Sequence, residues 1–163
     1  MNVDRILNAF ESHSADYILI GGVNFLLNHA PELTFDVDLW IRDDEANWQS
    51  TNAALRELQA EWGPSEQEWK AVPPDPLWLR RQSVFCLTSP YGAIDVFREV
   101  KGLEGRYAEC KAAAPRRSTA NGQSYTSLSD RDMLQCQLAL PENVRKISRV
   151  EILRRATGQT NDR

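Results

Sequence analysis

Two segments decide the fold of this chain: Ile18-Leu19-Ile20-Gly21-Gly22 and, further along, Thr34-Phe35-Asp36-Val37-Asp38-Leu39-Trp40. The first is an apolar run stopped by two glycines, which predicts a buried strand over residues 16–20. The second alternates apolar and polar residues, and this period predicts a strand over residues 33–41. Because alternate residues of a strand point to one face, both aspartates and the tryptophan share a face of this strand.

The two aspartates of the second segment are unusual for a strand interior. Asp36 and Asp38 would repel each other, and a bound Mg²⁺ or Mn²⁺ would remove the repulsion because hard cations prefer carboxylate oxygens. Asp95 lies in another apolar run, residues 93–97, and supplies a third carboxylate if the two strands are neighbours. The alternatives are a solvated edge strand for the pair and a turn or salt-bridge role for Asp95.

The glycine pair falls where the first strand meets a predicted helix over residues 23–29. Gly21 and Gly22 have no Cβ, so the backbone N–H groups at this helix start can approach an anion closely. The pattern therefore predicts a phosphate site. The alternative is a plain turn between a strand and a helix.

The rest of the chain predicts an α+β fold, in which a mixed β-sheet is flanked by helices and the C-terminal part is helical. Four prolines place a loop over residues 63–78, with room for one short strand, and residues 115–122 form a basic and polar connector. We expect one domain over residues 1–163. The predicted helices are 3–12, 46–61, 106–113, 130–140 and 142–156; the predicted strands are a hairpin of 83–88 and 93–97 and a short strand at 124–126.

The composition is that of an ordinary globular protein, with 163 residues and a net charge of −4. No apolar run approaches the length of a membrane helix and no basic leader opens the chain, so we expect a cytoplasmic protein without membrane contact. Three cysteines without metal-site spacing are expected to be reduced and mostly buried. The charge argues against coating nucleic acid but leaves RNA as a docked substrate, because basic residues concentrate toward the C-terminus: Arg116, Arg117, Arg145, Lys146, Arg149, Arg154 and Arg155.

The order of these motifs resembles the nucleotidyltransferase superfamily with the polymerase beta fold. A glycine pair, a gap at residues 23–35, an Asp-apolar-Asp strand and a later strand aspartate follow that family's pattern. Residues 89–97, with Gly102, Gly122 and residues 127–130, are similar to small bacterial nucleotidyltransferase-like proteins, some encoded in toxin–antitoxin or phage-defence systems. The similarity covers roughly residues 16–153.

This resemblance implies a metal-dependent transfer of a nucleoside monophosphate from a triphosphate such as ATP to a hydroxyl group. It implies Mg²⁺ or Mn²⁺ on the aspartates, with Asp95 as a ligand or general base. The acceptor is left open between an RNA end, a protein and a small molecule such as an antibiotic. The residues expected to bind the nucleotide are Gly21, Gly22, Asn24 and Thr34.

Two departures from the family concern cations. Relatives carry an Arg where this chain has Glu32, and a C-terminal Lys where it has Gln137, with Ser148 near an acidic position. Their loss would weaken triphosphate binding and leaves a second hypothesis, a catalytically reduced binding module such as an antitoxin or a regulatory partner of another protein. Retention of three aspartates speaks against it. Candidate substitutes, whose alternative is a solvated surface charge, are Arg42, Arg80, Arg81, Lys101 and Arg145.

Two further side chains are candidates for the cleft. Arg145 and Arg149 are four apart, so on a helix they would share a face, and this would favour RNA if that face borders the cleft. Trp40 lies on the strand face of the two aspartates and is a candidate neighbour of the nucleotide.

Overall fold

A mixed four-stranded sheet brings the two aspartate-bearing strands side by side in the computed structural model, which describes residues 1–159. Its strand order is β1-β2-β6-β5, with β2 antiparallel to β1 and parallel to β6, and β5 antiparallel to β6. Two small hairpins, β3–β4 and β7–β8, lie beside it. The strands are β1 (Tyr17–Leu19), β2 (Asp36–Ile41), β3 (Glu61–Trp62), β4 (Lys70–Ala71), β5 (Val84–Leu87), β6 (Ala93–Phe97), β7 (Arg116–Ser118) and β8 (Ser124–Thr126).

Six α-helices surround the sheets within the described residues, three of them capped as the sequence dictates. The side chains of Asn2, Asp44 and Ser129 each accept a hydrogen bond from a backbone N–H of the following helix. Short 3₁₀ helices cover Glu66–Glu68, Pro76–Arg80 and Glu142–Val144. The α-helices are α1 (Val3–Ser12), α2 (Gly21–Asn28), α3 (Glu45–Glu57), α4 (Tyr107–Ala113), α5 (Asp130–Ala139) and α6 (Ile147–Ala156).

The sheet separates two hydrophobic clusters, and the candidate site lies on the face of the second. On one face, α1 and α3 pack against the buried strand residues Val37, Leu39 and Val96. On the other face, Trp40 joins side chains of α5 and α6. Burial along β2 is complete at its C-terminal end but only partial at Asp36 and Asp38. The helical cover therefore stops short of the aspartates and leaves them partly exposed.

The predicted architecture is confirmed, and the errors fall where side-chain patterns are weak. The helix 3–12 and the hairpin of β5 and β6 are found as predicted. Strand β2 begins three residues late, because pairing with β6 starts at Asp36, and Leu33 and Phe35 before it are exposed. The predicted connector 115–122 contains β7, whose side chains are all exposed, so it gives no apolar alternation.

Two predicted helices and one loop also need correction: the predicted helix 46–61 ends at Glu57, and Glu61 already belongs to β3. The predicted helix 142–156 starts only at Ile147, because residues 142–144 form a 3₁₀ turn. The predicted loop 63–78 contains one short strand, β4, as expected, and also two 3₁₀ helices that were not predicted. Among residues 1–159, none of the helices combines the length and the hydrophobicity that crossing a bilayer would require.

Candidate metal and nucleotide site

Three aspartates meet on the accessible part of the sheet. Strands β2 and β6 run parallel, and their register sets Asp38 beside Asp95, with Asp36 two residues earlier on the same face. Each of the three offers a carboxylate oxygen, and these oxygens all lie within 4.8 Å of one another. The predicted adjacency of Asp38 and Asp95 is confirmed by this register.

The three carboxylates disfavour one another's charge. Burial raises the pKa of Asp38 to about 7, and the charges of Asp36 and Asp95 act in the same direction. The backbone N–H of Gly22 and the charge of Arg149 lower this pKa without cancelling the rise. Burial also raises the pKa of Asp95. A cation would offset this repulsion, and a ligand set made only of carboxylate oxygens suits Mg²⁺ or Mn²⁺.

Cys86 is a neighbour of the cluster that sequence reasoning missed. It pairs with Asp95 across the β5–β6 hairpin, and partial desolvation together with the Asp95 charge raises the pKa of its thiol to about 11. Its side chain is exposed, contrary to the expectation of mostly buried cysteines. It also lines a cavity of about 310 Å³ with Trp62 and Trp69. Counting residues from the predicted hairpin turn would have found this pair.

Gly21 forms the turn that faces the aspartates. Its φ is 66°, a left-handed conformation that favours glycine, and a Cβ at this position would lie 1.8 Å from Oδ2 of Asp38. The helix α2 starts at Gly21, two residues before the predicted start. Ile20 precedes it, and an apolar side chain cannot cap the N–H groups of the first turn. The N–H groups of this first turn therefore have no side-chain cap from Ile20, and that of Gly22 acts on Asp38.

Gly22 and Thr34 form the second side of this turn. A Cβ on Gly22 would lie 2.6 Å from Oγ1 of Thr34. The same hydroxyl donates a hydrogen bond to the backbone oxygen of Asp36, at 3.3 Å. Three of the four residues predicted to bind the nucleotide, Gly21, Gly22 and Thr34, are thus adjacent to the aspartates.

Asn24, the fourth, lies outside the site. Its side chain is fully buried and connects α2 to the segment after β8. Its Nδ2 donates to the backbone oxygen of Leu128 at 3.2 Å, and its Oδ1 accepts from Oγ of Ser127 at 2.7 Å. Asn28 donates to the same Oδ1. The amide is engaged inside the protein, so the predicted contact with a nucleotide is replaced by a structural role.

We expect Asn24→Ala to lower the free energy of unfolding by about 1–3 kcal/mol, because it leaves buried polar partners unsatisfied. Urea unfolding of this variant and of Asn8→Ala, an exposed asparagine, measures the difference. The Asn8 variant should change stability by less than about 0.5 kcal/mol. Weaker nucleotide affinity in a fully stable Asn24→Ala protein would instead restore this residue to the nucleotide site.

Trp40 is not a wall of the site. It is 1% exposed, its Nε1 donates to the backbone oxygen of Arg98 at 3.3 Å, and Tyr107 of α4 packs edge-on against its ring. The expectation that it borders the nucleotide is therefore wrong. Residue alternation placed the side chain on the correct face, but α4 covers that end of the strand.

The cation near the glycine turn is Arg149. It is 5% exposed and forms a bidentate ion pair with Glu32, with Nε 3.2 Å from Oε2. Gln137, where the resemblance led us to expect a lysine, accepts a hydrogen bond from the backbone of Lys146. The five substitutes proposed from sequence do not supply this charge: Arg42, Arg80 and Arg145 bind other groups of the protein, and Arg81 and Lys101 are exposed.

Arg145 and Arg149 do not share a helix face. Arg145 lies before α6 begins at Ile147, and its guanidinium donates to the backbone oxygens of Leu138 and Leu140. The spacing of four residues therefore does not place the two arginines on one helix face. It no longer supports RNA as the acceptor.

Comparisons with known proteins agree at the level of the fold. No family model matches the sequence, and no curated protein sequence matches it either. Among solved structures, the chain is similar to the crystal structure of a "putative nucleotidyltransferase" from Thermotoga maritima, with a TM-score of 0.50 and 12% identity. The match covers 95% of this chain and 89% of that one. At this identity the likeness shows a nucleotidyltransferase-like fold and nothing finer.

Proposed function

We propose that the chain is a metal-dependent nucleotidyltransferase that moves a nucleoside monophosphate from a triphosphate to a hydroxyl acceptor. One observation carries this proposal: three carboxylates with oxygens within 4.8 Å of one another lie directly beside the glycine turn that opens α2. A cation site next to the backbone N–H groups of a helix start suits a metal-bound phosphate chain. The fold likeness supports the same class of reaction.

The chain's own residues divide this task between two sides of the cluster. Asp36, Asp38 and Asp95 would hold the metal, which when bound neutralises phosphate charge and acidifies an acceptor hydroxyl. The N–H groups at Gly21 and Gly22 would hold the phosphates through the first turn of α2. The triphosphate accordingly belongs on the α2 side.

The acceptor belongs on the opposite side, toward β5. Asp95 is the member of the cluster on the strand next to β5, and its neighbour Cys86 lines the cavity with Trp62 and Trp69. We propose that an acceptor hydroxyl approaches from this cavity and passes its proton to Asp95. The class of acceptor stays open between an RNA end, a protein side chain and a small molecule.

The direct test offers each of the four α-³²P-labelled nucleoside triphosphates to the protein with Mg²⁺ or Mn²⁺. RNA, protein and small-molecule fractions of a cell extract serve as acceptors. We expect label to enter one fraction with the wild type and with Asp75→Asn, which alters an exposed aspartate, and to be lost with Asp95→Asn.

Two negative results have different meanings. Thermal stabilisation by a metal–triphosphate complex without any label transfer would favour the binding module over the enzyme. Absence of both transfer and stabilisation, for all four triphosphates, would contradict the proposal.

A further inference from the structure

Arg149 is held in a fixed position beside the glycine turn. Its guanidinium carbon lies 5.1 Å from the ring centroid of Phe25, a buried residue of α2. Glu32, on the segment after α2, accepts hydrogen bonds from its Nε and Nη2. A guanidinium between an aromatic face and a carboxylate loses little further freedom when it binds a ligand.

The same guanidinium reaches the phosphate side of the candidate site. Its Nη2 lies 3.8 Å from the point that a Cβ of Gly22 would occupy. Its charge also acts on Asp38, whose pKa it lowers. Arg149 is therefore placed where the phosphates of a bound triphosphate would end if they lie along the N–H groups of α2.

Glu32 occupies the edge of Arg149 that would otherwise bind phosphate. Guanidinium binds carboxylate and phosphate in the same two-pronged geometry, so the two anions compete for Nε and Nη2. Its Nη1 has no hydrogen-bond partner among residues 1–159. Lys146, which is half exposed, also pairs with Glu32 and gives its carboxylate a second partner.

Charge favours exchanging Glu32 for a phosphate that arrives with metal. Glu32 adds a fourth carboxylate to a region that already holds the three aspartates, and its cationic partners are Arg149 and Lys146. Divalent cations bound to a triphosphate neutralise part of its negative charge, whereas Glu32 brings no cation to the site. Moving Glu32 onto Lys146 alone would leave Arg149 to the phosphates.

We infer that Arg149 is the triphosphate-binding cation of this site, and that Glu32 blocks it in the empty protein by competing with phosphate for the same guanidinium edge. This inference rests on the proposed function, because it assumes that a triphosphate binds at the α2 side. It assigns to α6 the positive charge that Glu32 and Gln137 do not provide. Under this inference, Glu32 lowers the affinity for nucleotide, because it has to leave Arg149 before phosphate can bind there.

The test is binding of inorganic triphosphate with Mg²⁺, measured by titration calorimetry on the full chain. Glu32→Gln keeps the shape and a hydrogen bond to Arg149 but removes the competing charge, so we expect on the order of tenfold tighter binding. Arg149→Lys keeps the charge but loses the two-pronged geometry, so we expect on the order of tenfold weaker binding. Glu57→Gln, which removes a charge paired with Arg5, is the matched control and should change nothing.

A purely structural ion pair predicts a different pattern. In that case Glu32→Gln lowers stability in urea and leaves triphosphate affinity unchanged or weaker, and this result would overturn the inference. Equal tightening by Glu57→Gln would also overturn it, since the effect would then be general charge.

The transfer assay separates this inference from the proposed function. Tighter triphosphate binding by Glu32→Gln in a protein that transfers no label would support the anion site and refute the enzyme. Label transfer by the wild type together with unchanged binding in Glu32→Gln would refute the inference alone.

Discussion

We expect Asp38→Asn to abolish nucleotidyl transfer while making the metal-free protein more stable at pH 8. Asp38 is the central member of the acidic cluster, paired in register with Asp95. Under the proposed function, loss of this metal ligand removes several kcal/mol of transition-state stabilisation, on the order of a thousandfold in rate. The gain in stability has a separate cause, because the variant no longer ionises a carboxyl group that the fold disfavours as an anion.

The sign follows from the pKa of Asp38, which is about 7 in the folded protein against an ordinary value of 3.8. A raised pKa means that the folded state prefers the protonated acid. This contribution to stability is complete below the unfolded pKa and is lost as the pH rises through about 7. Metal-free wild type should therefore lose stability between about pH 4 and pH 8, and Asp38→Asn should lose less.

Urea unfolding in EDTA at pH 5 and pH 8 measures how much stability the wild type and Asp38→Asn each lose as the pH rises. Asp75→Asn, at an exposed aspartate, is the control and should follow the wild type. Adding Mg²⁺ should stabilise the wild type and leave the Asp38 variant unchanged. If Asp38→Asn is the less stable protein at pH 8 in EDTA, Asp38 is a structural hydrogen-bond acceptor and its role in the cluster is wrong.

Among substitutions of alanine for glycine in this chain, we expect Gly21→Ala to disturb the acidic cluster most. The left-handed backbone costs an alanine about 1–2 kcal/mol, and the new Cβ would overlap Oδ2 of Asp38 at 1.8 Å. Relief of that overlap displaces the carboxylate, at a further cost of about 1–3 kcal/mol. We therefore expect that Gly21→Ala no longer binds Mn²⁺, as measured by titration calorimetry. We also expect urea unfolding to show that its folded state is clearly less stable.

Gly105 provides a matched control for the backbone part of this effect. Its φ is 70°, and a Cβ there meets no atom of the described residues within 4 Å. Gly105→Ala should therefore cost only the conformational strain and leave Mn²⁺ binding intact. Combining Gly21→Ala with Asp38→Ala removes the carboxylate and leaves only a tight 3.0 Å contact with the Cβ of residue 38, so the stability cost of the added methyl should fall close to that of the control. An equal cost in both single variants, with normal Mn²⁺ binding, would contradict this account.

Much of the acidic cluster could be predicted because strand periodicity acts locally. Alternation along residues 36–40 places both aspartates on one face, and two apolar strands in an α+β sequence have few ways to pair. The register that sets Asp95 beside Asp38 completes the cluster. The glycine turn could also be predicted, because a strand followed directly by a helix needs a tight reversal of the chain there.

The surroundings of the cluster could not be predicted, because they depend on which distant segments pack together. Trp40 is on the predicted face, yet α4 covers it. Asn24 follows the glycine turn, yet it bonds to a segment more than a hundred residues later. The pairing of Glu32 with Arg149 joins residues far apart in sequence, and no local pattern marks it.

The parallel pairing of β2 with β6 has a consequence for how the chain folds. Asp38 and Asp95 are 57 positions apart (95 − 38), with α3, β3, β4 and β5 between them. A parallel pair joined by so long a connection must close a large loop before its hydrogen bonds form, so it belongs to the slow, late part of folding. A collapsed chain without this pair has no cluster. Uptake of a divalent cation would therefore report completion of the central sheet, and distinguish native molecules from compact intermediates that retain only the hairpins.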